Sequence, residues 1–241
     1  MVQYKIEKKL YEVVENFSGT PEVEIIRFKP VDGKPMNFDA GMFVMTYGID
    51  ENNKQYIGRA FSIASEPNAD ILELFIVKEH NNYRSHFMDA KVGDKFYIAG
   101  PYGQFKFVPE ENKKSLFIAG GTGVAPFIST LRHIRNNKYD VDSVLLYSIK
   151  YPTEIIMKDE LEEIEKEIKL KKVITVTRPS ETDSWNGEKG HIDANMIKKY
   201  APDIDERTVY ICGPLNFVKA MKDSLKELNV DPKKISADVW G

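Results

Sequence analysis

The hydrophobic pattern changes character near the middle of the chain. Through residue 110, apolar positions come as short runs rich in β-branched and aromatic residues, with turn-forming residues between them: Val23 to Lys29, Met42 to Ile49, Phe61 to Ala64, Leu72 to Lys78 and Phe96 to Ile98. These predict a small antiparallel barrel or sandwich. From Ser115 the pattern changes to apolar runs followed by helical spacings, Leu116 to Ala119 then Val124 to Arg135, Ser143 to Ile149 then Lys158 to Leu170, and Val209 to Cys212 then Leu215 to Leu228, with a further apolar run at Val173 to Thr177. Strand and helix in alternation imply a parallel sheet with crossover helices. The polar stretch Pro109 to Lys114 reads as the junction, so two domains are expected, residues 1–110 and 111–241.

Composition narrows the class. A chain of 241 residues with 42% hydrophobic and 29% charged residues can build a folded core, which excludes disordered and low-complexity readings. There is no apolar run of about 18 residues, and Met1 to Leu10 has charges where a signal peptide is apolar, so a cytoplasmic protein without a membrane partner is expected. The net charge of -3 offers no basic excess for nucleic acid. Between Lys158 and Lys172 the charges suggest helical pairs at Glu162/Lys166, Glu165/Lys169 and Glu167/Lys171. The single cysteine, Cys212, excludes internal disulfides and any iron-sulfur cluster held by this chain alone. His80, His86, His133 and His191 lack metal-ligand spacing, so no metal is expected.

Several segments could carry chemistry. Gly120-Gly121-Thr122-Gly123-Val124-Ala125-Pro126 follows an apolar strand and opens a helix, so the backbone can turn tightly and present free N–H groups to a phosphate. No Lys-Ser/Thr closes it, so it is not a P-loop. Arg59-Ala60-Phe61-Ser62 puts a cation, a ring and a hydroxyl on one extended run; read alone it could be an ordinary strand. Asn82-Tyr83-Arg84-Ser85 could be a helix cap or an anion site, Cys212-Gly213-Pro214 ends a strand, and Asp238 and Trp240 lie in what could be a frayed tail.

Taken together and in this order, these segments resemble the ferredoxin-NADP(H) reductase superfamily over nearly the whole chain. The resemblance implies an antiparallel FAD-binding β-barrel followed by a Rossmann-like α/β NAD(P)-binding domain, with the active site between them. It implies hydride transfer from NADPH or NADH to FAD, and onward transfer to a separate acceptor such as ferredoxin, flavodoxin, a cytochrome or an oxygenase component. Arg59 would bind the FAD pyrophosphate beside Ala60, Phe61 would face the flavin ring, and Ser62 would hydrogen-bond near it. Ile76, Val77 and Lys78 match a second flavin-edge strand. Asn82, Tyr83, Arg84 and Ser85 match a phosphate turn, with Asn82 where glycine is usual. Gly121, Thr122, Gly123 and Pro126 match the coenzyme loop, and Cys212, Gly213 and Pro214 the segment beside the nicotinamide. Trp240 would cover the flavin, and Asp238 stands where a glutamate is common. Ser62, Cys212, Asp238 and Trp240 are thus the catalytic candidates. After the second strand of the nucleotide domain, Ser148, Lys150 and Arg178 supply a hydroxyl and two cations and no acid at the strand end, which favours NADPH. Two other roles are open: an electron-transfer subunit of a larger complex, or a regulatory flavin- or nucleotide-binding module without catalysis.

Overall fold

A computed structural model describes residues 4–49, 55, 58–78, 89–180 and 184–240. The first sheet contains β1 (Glu7–Thr20), β2 (Val23–Pro30), β3 (Phe43–Tyr47), β4 (Arg59–Ser62), β5 (Leu72–Val77) and β6 (Lys95–Tyr102), in the order β4-β3-β6-β1-β2-β5 with antiparallel neighbours. It curls until its edges meet at an antiparallel bridge between Ile63 and Leu74, where the Ala64 N–H donates to the Glu73 carbonyl at 2.9 Å. The barrel interior is filled by side chains on the inward face of each strand, among them Tyr11, Val13, Ile26, Phe28, Val44, Ile76 and Ile98.

β1 is absent from the expected strands. Its residues are mostly charged or polar, and register shifts at Val13/Glu15 and Ser18/Thr20 break the period of two, so its alternation does not show in the sequence.

The second sheet is parallel, in the order β10-β9-β8-β7-β11-β12: β7 (Lys114–Gly120), β8 (Asp142–Ile149), β9 (Leu170–Val176), β10 (Glu188–Lys189), β11 (Thr208–Pro214) and β12 (Ile235–Trp240). Among the described residues four α-helices accompany it: α1 (Ala125–Asn137), α2 (Lys158–Glu167), α3 (Ala194–Tyr200) and α4 (Leu215–Glu227). The chain runs from β7 outward to β10 and then returns to the other side of β7, so the order reverses between β7 and β11. Ligands of doubly wound sheets bind at such a crevice, outside the carboxyl ends of the strands.

Three local expectations are corrected. The C-terminal segment is not frayed: β12 pairs with β11 from Val209/Ile235 to Pro214/Trp240. α2 ends at Glu167, which leaves Lys169 and Lys171 outside it; Lys169 pairs with Asp140 at 2.7 Å, and Glu165 reaches Lys172 instead. α1 starts at Ala125, after a 3-10 turn over Gly121–Val124. No helix among the described residues is long and apolar enough to cross a membrane.

Two contacts tie the sheets together. Phe105 and Phe107, just past the barrel, pack their rings on Phe117, Phe127 and Tyr210 of the parallel half. Arg132 of α1 donates to the buried Glu73 carboxylate at 2.6 Å, to the Ala64 carbonyl and to Glu160 of α2, while Ser129 donates to the Ser65 carbonyl.

Candidate functional site

The crevice at the strand ends opens into two adjoining cavities. The first, of about 300 Å³, takes Phe43, Ala60, Phe61, Ser62, Phe75 and Val77 from the barrel, Thr122 and Ala125 from the glycine turn, and Asp238, Val239 and Trp240 from β12. β4 brings Phe61 and Ser62 here because it pairs with β3 in the register Val44/Phe61 and Phe43/Ser62. The Phe43 ring packs on Tyr102 with centroids 5.6 Å apart, which fixes that wall.

The glycine turn forms the floor. Gly121 sits at φ 56, a left-handed conformation that a side chain disfavours, and a Cβ on Gly123 would lie 2.2 Å from the Cys212 carbonyl oxygen. The backbone can therefore pass close to β11 as it leads into α1, whose Ala125 N–H donates to the Thr122 carbonyl. Pro126, in the first turn of α1, is buried.

Behind this floor, Cys212 is fully buried, in register with Ala119 on one side and Asp238 on the other. Burial, reinforced by the Asp238 charge, pushes the Cys212 thiol well above its usual range, so it is a neutral packing group and not a nucleophile. Burial also raises the Asp238 carboxyl, opposed only by the Val239 N–H that it accepts at 3.1 Å.

The second cavity, of about 600 Å³, brings together Ser148, Lys150 and Arg178 with Gly121, Thr122, Pro214 and Trp240. Val77, Thr122 and Trp240 line both cavities, so the two communicate at these residues. The structure adds a residue that reading the strand end did not supply. Glu154 lines this second cavity, and its carboxylate accepts the backbone N–H groups of Lys150 at 3.0 Å and Tyr151 at 3.4 Å. An acid does stand at the end of β8, reached through a short 3-10 turn over Pro152–Glu154. Phe43, Phe75 and Phe217 are other lining residues that the sequence motifs did not include. Phe75 could have been found from the alternation along β5, since it shares the face of Val77.

Not every expected residue lines the cavities. The Ile76 side chain is fully buried in the barrel core, opposite the face presented by Phe75 and Val77. Lys78 bonds Glu24 at 2.7 Å and the Ser18 hydroxyl at 3.0 Å. Arg59 is half-buried on β4 and lines neither cavity, and Gly123, Pro126, Cys212 and Gly213 support the wall from behind. Asn82, Tyr83, Arg84 and Ser85 lie outside the described residues, as do His80 and His86. His133 packs on Tyr139, and burial lowers its pKa. Among the described residues no three His, Cys, Asp or Glu side chains gather as a metal site.

Residues 117–223 match the family model for the oxidoreductase NAD-binding domain. The chain is 28% identical over 208 residues to the glycine betaine monooxygenase reductase subunit of Pseudomonas aeruginosa, covering 85% of this chain and 56% of that protein, so it spans little more than half of that relative's length. It is 28% identical over 227 residues to NADH-cytochrome b5 reductase 1 of Candida glabrata, covering 90% of this chain and 78% of the relative. Among solved structures, the ferredoxin reductase in carbazole 1,9a-dioxygenase superposes with a TM-score of 0.85 at 25% identity, over 98% of this chain and 70% of the other.

Proposed function

Because the chain belongs to the ferredoxin-NADP(H) reductase superfamily, we propose that it is an FAD-dependent NAD(P)H oxidoreductase serving a separate electron-acceptor protein. In this reading residues 1–110 hold the flavin and residues 111–241 the coenzyme. The observation that carries it is the junction of the two cavities at Val77, Thr122 and Trp240, where a ligand held by the barrel would meet one held by the parallel sheet. When bound, the flavin supplies the hydride-accepting and electron-releasing chemistry that no side chain of this chain has.

The residues present fit such a group. The first cavity has flat apolar walls at Phe61 and Trp240, a hydroxyl at Ser62, and no side chain at Ala60 large enough to fill it. Phe61 and Trp240 would orient a planar ring system by offering their faces. Ser62 would donate a hydrogen bond at its edge, and Asp238, protonated more readily than an exposed aspartate, would hold a proton beside it. Arg59, with Asn82, Tyr83, Arg84 and Ser85, would meet the flavin phosphates. Val77 would close the edge, and Ile76 and Lys78 would anchor β5, not touch the ligand. Gly121, Thr122, Gly123 and Pro126 would take the coenzyme pyrophosphate at the start of α1. Cys212, Gly213 and Pro214 would shape the seat of the nicotinamide.

Lys150 and Arg178, with Ser148, favour the 2'-phosphate of NADPH, and Glu154 is the charge that opposes it. Ferredoxin, flavodoxin, a cytochrome or an oxygenase component would fit as acceptor, and the buried free thiol suits a cytoplasmic protein.

An anaerobic titration of the FAD-reconstituted protein with NADPH and with NADH, followed at the flavin band near ~450 nm, tests this reading. Bleaching is expected, with NADPH the more efficient reductant. A bound flavin that neither coenzyme reduces would refute the reductase reading and favour a regulatory binding module; equal or better efficiency with NADH would overturn the NADPH assignment alone.

A further inference from the structure

α1 grips the backbone of the barrel as well as its side chains. Four residues after Ala125, the buried Ser129 hydroxyl donates to the Ser65 carbonyl at 2.6 Å. Three residues further on, Arg132 Nη1 donates to the Ala64 carbonyl at 2.9 Å and to the Glu73 carboxylate at 2.6 Å. Glu160 of α2 takes Nε and Nη2 of the same guanidinium at 2.8 and 2.6 Å, so the planar fork is held in place from its other side. The barrel pins the same two residues: the Ala64 N–H donates to the Glu73 carbonyl at 2.9 Å, and the Glu73 N–H to the Ser65 hydroxyl at 3.2 Å. Ala64 and Ser65 are thus held from both halves of the molecule.

Both ends of this clamp lie next to the first cavity. Ser62 lines that cavity two residues before Ala64, about 7 Å along an extended chain, and Ala125 lines it one turn before Ser129, about 6 Å along the helix. The strand that presents Ser62 is therefore tied to the turn that presents Thr122 and Ala125. The aromatic cluster around Phe105 and Phe107 also joins the halves, but apolar contact is non-directional. Hydrogen bonds to the two carbonyls hold only over a narrow range of distance and angle, so they set the relative position that the cluster leaves free. Arg207 is comparably buried and ion-paired, yet its partners, Asp142, Asp203 and the Ser115 carbonyl, lie at the other end of the parallel sheet, away from the cavities.

We propose that Ser129 and Arg132 are positioning residues for hydride transfer: by gripping the Ala64 and Ser65 carbonyls they set the separation between the flavin seat at Ser62 and the coenzyme turn at Thr122. The proposal rests on the reductase reading above. The step moves one proton and two electrons together, as hydride, from the reduced coenzyme to the oxidised flavin, and leaves the coenzyme oxidised. It requires the reacting atoms to be about 3 to 3.5 Å apart, and a misplacement of about 1 Å costs on the order of a hundredfold in rate. Loosening the clamp removes no contact with either ligand, so the rate falls while affinity is kept.

The test compares the full-length wild type with Ser129→Ala, Arg132→Lys and, as a buried control remote from the cavities, Arg207→Lys. After reconstitution with FAD, flavin reduction is followed by stopped flow over a range of the faster of NADPH and NADH. The limiting rate constant should fall about tenfold or more in Ser129→Ala and in Arg132→Lys, with the coenzyme Kd changed by less than about twofold. The slowed step should show a primary isotope effect with coenzyme deuterated at the transferred position. In the protein without flavin or coenzyme, hydrogen exchange over residues 62–65 should be faster in both variants and unchanged in Arg207→Lys. An unchanged limiting rate in either clamp variant, an equal loss in Arg207→Lys, or a slowed step without an isotope effect would overturn the assignment. Should Arg132→Lys fail to fold, Ser129→Ala decides alone. A wild-type flavin that neither coenzyme reduces would instead refute the reductase reading, while hydrogen exchange would still report on the clamp.

Discussion

Asp238 shows how one side chain can be set by its position in a sheet. β12 holds it opposite Cys212, and its pKa is raised above the usual 3.8 chiefly by burial. Between the unfolded and folded values the native chain binds more protons than the unfolded chain, so this residue's contribution to stability is present below about pH 3.8 and is lost as pH rises through the folded value. Asparagine has no such titration. The stability of Asp238→Asn relative to wild type should therefore improve as pH is raised from about 3 to about 7, read from urea midpoints at matched ionic strength. A difference independent of pH would show that the carboxyl is as well solvated folded as unfolded. The residues at this scale were partly legible: Phe61, Ser62, Asp238 and Trp240 come together in one cavity because their motifs sit at strand ends. Glu154 was not, because it lies beyond the strand and enters through a short 3-10 turn whose path periodicity does not encode.

At the scale of elements, α1 does two things at once. Its start closes the floor of the cleft, and its third turn carries Arg132, which bridges Glu73 of β5 and Glu160 of α2. Removing one partner from a buried pair leaves the other charge uncompensated. Arg27 still reaches Glu73 at 2.7 Å, so the loss in Arg132→Ala should fall at the lower end of the range, about 3 kcal/mol by chemical denaturation. A loss below about 1 kcal/mol would place Arg132 with ordinary surface pairs. Nothing in the sequence pointed to this clamp, because ion pairs between Arg132, Glu73 and Glu160 join distant segments. The helices and strands themselves were more legible where burial is one-sided. β7, β8 and β11 are almost wholly buried and read as solid apolar runs. β1 escaped notice because its bulges shift the alternation, and α3, with seven residues, is too short for its period to stand out.

The change of pattern near residue 110 suggests two independent units, and the packing qualifies how independent they are. A single buried cluster contains Val23, Ile25, Ala64, Phe75, Phe105 and Phe107 from the barrel side, and Phe117, Phe127, Leu145 and Tyr210 from the parallel side. Phe105 and Phe107 are the last aromatic residues before the junction, and both rings lie against the second half. A barrel cut away at the junction would expose these rings together with Glu73 stripped of its α1 partner. Cores shared in this way couple the unfolding of the parts, since neither half can lose its structure without exposing the other's apolar surface. Thermal unfolding should accordingly be one cooperative transition, with the calorimetric and van't Hoff enthalpies in agreement and with near- and far-ultraviolet circular dichroism coincident. Phe107→Ala, which removes a ring from between the halves, should cost about 3 to 5 kcal/mol and is the substitution expected to separate the two signals. Two resolved transitions in the wild type would mean that the shared cluster does not couple the halves, and the cleft between them would then owe its shape to the bound ligands and not to the packing of the chain.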